Sequence, residues 1–514
     1  MKHSRLFAVL LALALILAGC NRETAEYADA VEILLSGGAV QVDGKAADND
    51  PQKAVYVAND IVYYESGKDF TYGEGTDEDA HSPEAAAGHT VVHITQPGTY
   101  RISGRLPLGQ IAVDLGEDAE DDPAAVVTLI LDGVDITCQV APAVIFYNVY
   151  ECGDKDNPSK DVDTSGAGAN VIIADGSENQ INGAYVARIY KPDSVELSED
   201  GTAVEDAKKL HKYDGAFYSK MSMNIDGGKA GTGVLNIFAT NEGLDSEMHL
   251  TINGGNIRIS SGNDGINTNE DGVSVTTING GNLTITVTGE TGEGDGIDSN
   301  GWLVINGGTV TASACENSVD AGIDSDMGIH INGGTVIAGG HMLDRIEDGG
   351  QTYAVFHFAR GFDGSQMLRL KDEDGNTAAE MELVTAGSVL VYSSADLKEG
   401  SYTFWTEDTQ LAGWSSGMMG GMGMPGGMPG GMTPPEGEMP QGGQRPPEGE
   451  MPQGGQRPPE GEMQEDWMNR PNGGGQRPGG GFGGNWNEGA GQILSPEFKI
   501  VKGGNQFAGI MPIE

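Results

Sequence analysis

Positive charge is what this sequence has least of. Against 76 aspartates and glutamates stand 29 lysines and arginines, a formal net charge of -47. A phosphate backbone would be repelled at every approach, so nucleic acid is excluded as a partner. An acidic glycan would be repelled as well, unless a divalent ion bridged the carboxylates of protein and polymer. Cysteine is scarce: beyond Cys20 only Cys138, Cys152 and Cys315 remain, an odd number without CxxC spacing. They build no zinc site, and a Cys138–Cys152 bridge and buried free thiols both stay open. His and Cys form no cluster that would take a soft metal. Long apolar runs are missing too. The run from Leu6 to Leu17, behind Lys2 and Arg5, is too short to span a membrane.

What is present is repetition. Asp226-Gly227-Gly228 returns as Asn253-Gly254-Gly255, Asn279-Gly280-Gly281, Asn306-Gly307-Gly308 and Asn332-Gly333-Gly334, the first glycines 27, 26, 27 and 26 residues apart. A fixed period means stacked units that cannot bury their apolar faces alone. A second phrase travels with the first: Gly243-Leu244-Asp245-Ser246, Gly265-Ile266-Asn267-Thr268, Gly296-Ile297-Asp298-Ser299 and Gly322-Ile323-Asp324-Ser325. From its Ser or Thr to the next Gly-Gly runs 8 residues, except for 12 after Thr268, which predicts a local bulge or loop. Between the phrases lie alternating runs such as Leu283-Thr284-Ile285-Thr286-Val287, the mark of half-buried strands. A unit of this length holds three short strands, so the expected class is all-β, a parallel β-helix.

The two-residue period puts Ile297 and Ser299 on one face and Asp298 and Asn300 on the other. Leu244, Ile266 and Ile323 repeat Ile297, so that face is the core. Two outward columns follow: Asp245, Asn267, Asp298, Asp324, and Glu247, Asn269, Asn300, Asp326. A third runs before the glycine through Glu242, Asp264 and Asp295, with Asp320 displaced by one position. Stacked strands lie about 4.8 Å apart, where two carboxylates repel by roughly 1 kcal/mol in water and several-fold more in a partly buried groove. Ca²⁺, with its six to eight oxygen ligands, suits such rungs better than Mg²⁺, which demands a tighter octahedron. The candidate ligands are Asp245, Asp264, Asn267, Asp295, Asp298, Asn300, Asp324 and Asp326. An Asx turn with a solvated carboxylate accounts for the same aspartates, and the Asn-Gly-Gly asparagines read as turn formers in a hydrogen-bonded ladder.

Elsewhere the chain divides plainly. Leu17-Ala18-Gly19-Cys20 looks like a bacterial lipobox, which makes 1–20 a lipoprotein signal peptide and Cys20 the lipidated residue. The expected location is the extracellular face of the cell membrane, through a lipid anchor that does not span it. Residues 21–89 carry strand-like Val55-Tyr56-Val57 and Ile61-Val62-Tyr63-Tyr64 and a solvated acidic loop, Glu74 to Glu84. The β-helix is expected over 90–345, interrupted by a charged insertion from Val186 to Leu210. Residues 346–514 form a small antiparallel β cap over the open end. Within it, 417–491 collapses to Gly, Met, Pro, Gln and Glu and reads as a disordered insertion.

From about Thr90 to His341 the sequence resembles the bacterial family of carbohydrate-binding domain-containing β-helix proteins. Gly98-Thr99-Tyr100, Leu129-Ile130-Leu131-Asp132-Gly133-Val134, Asp175-Gly176-Ser177-Glu178-Asn179, Gly215-Ala216-Phe217-Tyr218-Ser219-Lys220 and the recurring phrases carry the resemblance. It implies a right-handed parallel β-helix, similar to calcium-dependent pectate lyases, that holds Ca²⁺ and binds polysaccharide of pectic or cellulosic type. Asn267, Asn269 and Asn300 depart from the acidic pattern and put an ion at every rung in doubt. Trp302, Tyr218 and Trp405 are candidate sugar platforms, with core packing as the alternative for each. Arg258 is a candidate glycan contact and, in an eliminating lyase, the candidate base; a solvated surface arginine explains it as well. No opposed carboxylate pair of hydrolase type is distinguished, so no catalytic residue is assigned. Binding leads, with a lyase and a structural adhesin as alternatives.

Overall fold

The structure, a computed structural model, describes residues 27–416 and 493–513. The expected signal peptide 1–20 with Cys20 and the expected disordered insertion 417–491 lie outside the described residues. The regular secondary structure described is strand, apart from two short 3-10 turns and one short helix, Pro83–Ala87. That helix starts on Pro83 with the Ser82 hydroxyl accepting from the Ala85 amide at 3.2 Å.

Three parallel ladders account for most strands. The first begins with Val31–Ser36, Gly98–Leu106 and Val127–Thr137 and runs through Met223–Asp226, Leu250–Ile252, Val275–Ile278, Trp302–Ile305 and Gly328–Ile331. The second passes through Glu178–Gly183, Val234–Ala239, Asn256–Ser261, Asn282–Val287, Thr309–Ser313 and Thr335–Gly340. The third takes Thr90–Ile94, Gly109–Asp114, Val144–Asn148, Gly215–Ser219, Glu242–Ser246, Ile266–Thr268 and Ile297–Ser299. Between Gly215 and Ser313 the chain visits third, first and second ladders in that order at each pass.

The repeated phrases explain this order. In the third ladder Leu244, Ile266 and Ile297 stand in register and are fully buried, as are Ser246, Thr268 and Ser299 beside them. Those inward hydroxyls are satisfied locally: Ser246 donates to the Met221 carbonyl at 3.1 Å, and Thr268 and Ser299 share a bond of 2.8 Å. The Gly-Gly phrase turns the chain from the first ladder into the second. Its second glycine takes φ of +84° at Gly281, where a Cβ would also meet the Gly255 carbonyl at 2.6 Å. The asparagines before the glycines form the expected amide ladder, Asn279 to Asn253, Asn306 to Asn279 and Asn332 to Asn306, at 2.8–2.9 Å. The 12-residue spacing after Thr268 is a turn at 270–273.

At the carboxyl end Gly387–Ser394 pairs antiparallel with Thr335–Gly340 and passes on to Tyr353–Phe362. This sheet has its own core around Phe356, Phe404, Phe498 and Phe507. The expected antiparallel cap contains one parallel pair, Tyr353–Phe362 with Gly504–Pro512, because the last strand returns alongside from the far side of residues 417–492.

Three local expectations need correction. Ile61 to Tyr64 is not a strand. The acidic loop is not merely solvated: Glu74 pairs with Arg188 at 2.9 Å, and the Tyr185 hydroxyl donates to Asp79. The insertion is ordered as two small hairpins, Val186–Tyr190 with Lys209–Tyr213 and Glu196–Leu197 with Val204–Asp206. Cys138, Cys152 and Cys315 are free thiols, and burial pushes Cys138 up to about 12 and Cys152 to about 11.

Two substitutions test this account. Ile266→Ala, between Leu244 and Ile297, is expected to cost about 2–5 kcal/mol, whereas Asn279→Ala, which removes two exposed amide bonds, should cost about 1–2 kcal/mol. Thermal unfolding of the two variants checks the order.

Candidate functional site

The acidic side chains meet along the third ladder. Register aligns Asp245, Asn267 and Asp298 in one column, and places Glu242, Asp264 and Asp295 in another at the position before the glycine. Both columns are outward from the apolar core, yet they are not solvated as outward columns should be. Asp245 is completely buried, and Glu242, Asn267, Asp264 and Asp324 are nearly so. The cover over the first rungs is the return strand of the insertion. Lys212, itself mostly buried, pairs with Asp214 at 2.6 Å, while Lys209 reaches Glu247 at 3.0 Å. Burial works against the Lys212 ammonium, but Asp214, Glu242 and Glu247 outweigh it and hold its pKa above the ordinary lysine value.

Two groups can be distinguished in the file. In the first, carboxylate oxygens of Asp214, Glu242 and Asp245 lie within 4.8 Å of one another. Asn267 donates to Glu242 Oε1 at 3.2 Å and Asn269 to Asp245 Oδ1 at 2.7 Å. The remaining oxygens, Glu242 Oε2, Asp245 Oδ2 and Asn267 Oδ1, are buried acceptors without a hydrogen-bond donor. Three buried oxygens left without donors in a crowded acidic group are the reverse of what a buried anion requires. Oxygens that share one ion at ~2.4 Å lie within ~4.8 Å of each other, so this donor set fits a hard cation.

The second group continues through Asp264, Asp295, Asp298, Asp320 and Asp324. Here the acids grip the next rung: Asp264 Oδ1 accepts from the Asp295 amide and Asp295 Oδ1 from the Ala321 amide, both at 2.6 Å. Asp320 accepts from the Gly294 amide at 2.6 Å and from the Ser318 hydroxyl. Asp295 and Asp298 remain half-exposed, so solvent reaches the file at this level.

Like charges so placed oppose ionisation. Burial first, then Asp214, pushes Glu242 above the usual carboxylate range; burial and Glu242 do the same to Asp245. Burial and Asp298 raise Asp264, and burial and Asp264 raise Asp295.

Not every predicted ligand joins the file. Asn300 turns its amide to the Asn269 carbonyl at 3.0 Å and to Asp271, and Asp326 is exposed. Asp214 escaped the sequence reading because Gly215, and not Asp214, stands in register with Glu242. The signal was there in the Asp214-Gly215 dipeptide, offset by one as Asp320 is at the other end. Among the candidate sugar contacts, Tyr218 is a correction: it is 2% exposed, and its hydroxyl donates to Glu247 at 2.7 Å, so its ring offers no face to a sugar. Arg258 is exposed as expected, but it stands on the second ladder beside Asn236, away from the acids of the third. Trp302 is half-buried at the start of a first-ladder strand, and Trp405 is held in the cap under Lys371, 4.2 Å from its ring.

A nearly all-β chain with a repeated strand phrase and an acidic file along one ladder defines the class. The family described as "Carbohydrate-binding domain-containing protein" matches residues 88–403, well over half of the chain, and the chain belongs to that family. None of the curated proteins matches it. Among solved structures it is similar to the polysaccharide lyase-like protein from C. thermocellum, in a gadolinium derivative, at 20% identity and a TM-score of 0.33, covering 60% of this chain and 90% of that one. So loose a superposition carries no argument about the site.

The raised carboxylates give a pH dependence with a definite sign. A carboxyl whose folded pKa lies above its unfolded value of about 4 stabilises fully below that value, and loses the contribution as pH rises through the folded value. In chelator the unfolding temperature should therefore fall by a few degrees or more between about pH 5 and pH 8. The variant Glu242→Gln/Asp245→Asn should flatten the fall, as read by thermal scans across that range.

Proposed function

We propose that this chain is a surface lipoprotein that binds polysaccharide of pectic or cellulosic type through a calcium-containing acidic face. In this reading the three ladders wind as a right-handed parallel β-helix over 90–345, closed by a β cap over 346–514. Lipid on Cys20 holds it at the extracellular face of the membrane. Family membership supports the glycan, and the observation that carries the ion is the trio of orphaned oxygens on Glu242, Asp245 and Asn267.

Asp214, Glu242, Asp245 and Asn267 would hold a Ca²⁺ beneath the insertion strand, where it neutralises charge that Lys212 alone leaves uncompensated. Buried there, it serves the rungs and not the polymer. The second group is where a polymer meets the file, because Asp295 and Asp298 are only half-buried. A divalent ion there supplies the bridge between these carboxylates and those of a uronate chain, which the net charge of -47 would otherwise repel.

The protein from Asn21 onward, mixed with polygalacturonate and with insoluble cellulose in Ca²⁺ or in chelator, tests the reading. Retention on polygalacturonate should require Ca²⁺ and weaken about tenfold in Asp295→Asn/Asp298→Asn. Growth of unsaturated-product absorbance would replace the binder with a lyase. Absence of retention on either polymer would leave a structural envelope protein.

A further inference from the structure

The outward face of the first ladder carries a groove of about 310 Å³, lined by none of the acids of the file. Its floor is the outward column Asn224, Thr251, Thr277 and Val304, in register on successive strands. The amide ladder from Asn253 to Asn332 forms one wall. The other is the segment 160–165, which the sequence shows only as part of an irregular stretch between two strands. That segment is pinned to the floor: Asn224 donates to the Thr164 carbonyl at 2.8 Å, and the hydroxyls of Thr164 and Thr251 share a bond of 2.7 Å. Further back, Lys155 pairs with Glu270 at 2.9 Å.

One atom in the floor is out of balance. Asn224 is 5% exposed, and its amide nitrogen donates to Thr164 O and to Asn170 Oδ1 at 3.0 Å. Asn170 in turn donates to the Ala167 carbonyl, so the direction of the chain of bonds is set. Asn224 Oδ1 is therefore a buried acceptor with no donor, in the lining of an open groove. The groove beside it is open to hydrogen-bonding groups from outside.

The rest of the lining defines which kind. Asn279, Asn306 and Asn332 each spend one N–H on the preceding asparagine and keep another N–H and an acceptor lone pair, repeating at about the 4.8 Å strand spacing. Val304 adds an apolar spot. Lys160 is paired with Asp161 at 2.5 Å, and Asp163 accepts from the Ser165 amide, so the wall offers no uncommitted cation to an anion. Donors and acceptors in alternation around an apolar patch complement a sugar ring, whose hydroxyls both give and take and whose C–H face is apolar.

We propose that this groove is a subsite for a neutral hexose chain lying along the first ladder, and that it works without calcium. The inference rests on the glycan reading of the family but on no ion in the acidic file. It divides labour between two faces: uronate at the third ladder, neutral sugar at the first.

Titration calorimetry on the purified full-length chain, in a non-glycosidic detergent with EDTA, tests it with cellohexaose, mannohexaose and trigalacturonate. Saturable heat with at least one neutral hexamer is expected, with trigalacturonate at least about tenfold weaker. Thr277→Trp, which fills the floor, should abolish the binding, and Ser165→Trp does so from the opposite wall should the first variant unfold. Silence from both neutral hexamers at millimolar concentration, equal affinity for trigalacturonate, or binding that survives both tryptophans overturns the proposal. Calcium-dependent retention on polygalacturonate, measured on the same preparation, reports separately on the acidic face.

Discussion

Repulsion between carboxylates on adjacent strands is the constraint around which this molecule is arranged. Parallel stacking in register brings equivalent residues to within one strand spacing, so a single acidic position in the repeat becomes a file of like charges. The structure answers the repulsion in three ways. Lys209 and Lys212 arrive from the insertion, backbone amides of the following rung bind Asp264 and Asp295, and asparagine replaces aspartate at positions 267 and 269. The residue of unsatisfied oxygen is concentrated at Glu242, Asp245 and Asn267.

The sequence carried the repeat because its signals are local. Alternation, the Gly-Gly turns and the Ile-Asx-Ser/Thr phrase each act within a few residues, and together they set the register of Leu244, Ile266 and Ile297 and the amide ladder. Burial of the acidic file was not legible in the same way. Direction follows from period two, but exposure follows from what lies on top, and the cover comes from a segment without period. Asp214 shows a finer limit, since a ligand displaced by one residue leaves the column that periodicity can detect. Tyr218 shows the converse: its outward position suggested a sugar platform, and the insertion closed over it.

Segments that interrupt the repeat thus do the most to shape its surfaces. The insertion at 186–213 roofs the acidic rungs, and the loop at 160–165 walls the amide groove. Neither segment has a strong pattern of its own, and both are held by a few specific bonds to the rungs, such as Lys209 to Glu247 and Thr164 to Thr251. Ladders supply a regular scaffold, and irregular connections decide which of its faces a ligand can reach.

Stacked parallel strands in register share their geometry with the cross-β spine of amyloid, and any open rung would template a second molecule. Gly387–Ser394 prevents this at one end, because it covers Thr335–Gly340 and its own outer edge is already paired with Tyr353–Phe362. Growth of the array at that end is therefore blocked within the monomer, without help from a second copy.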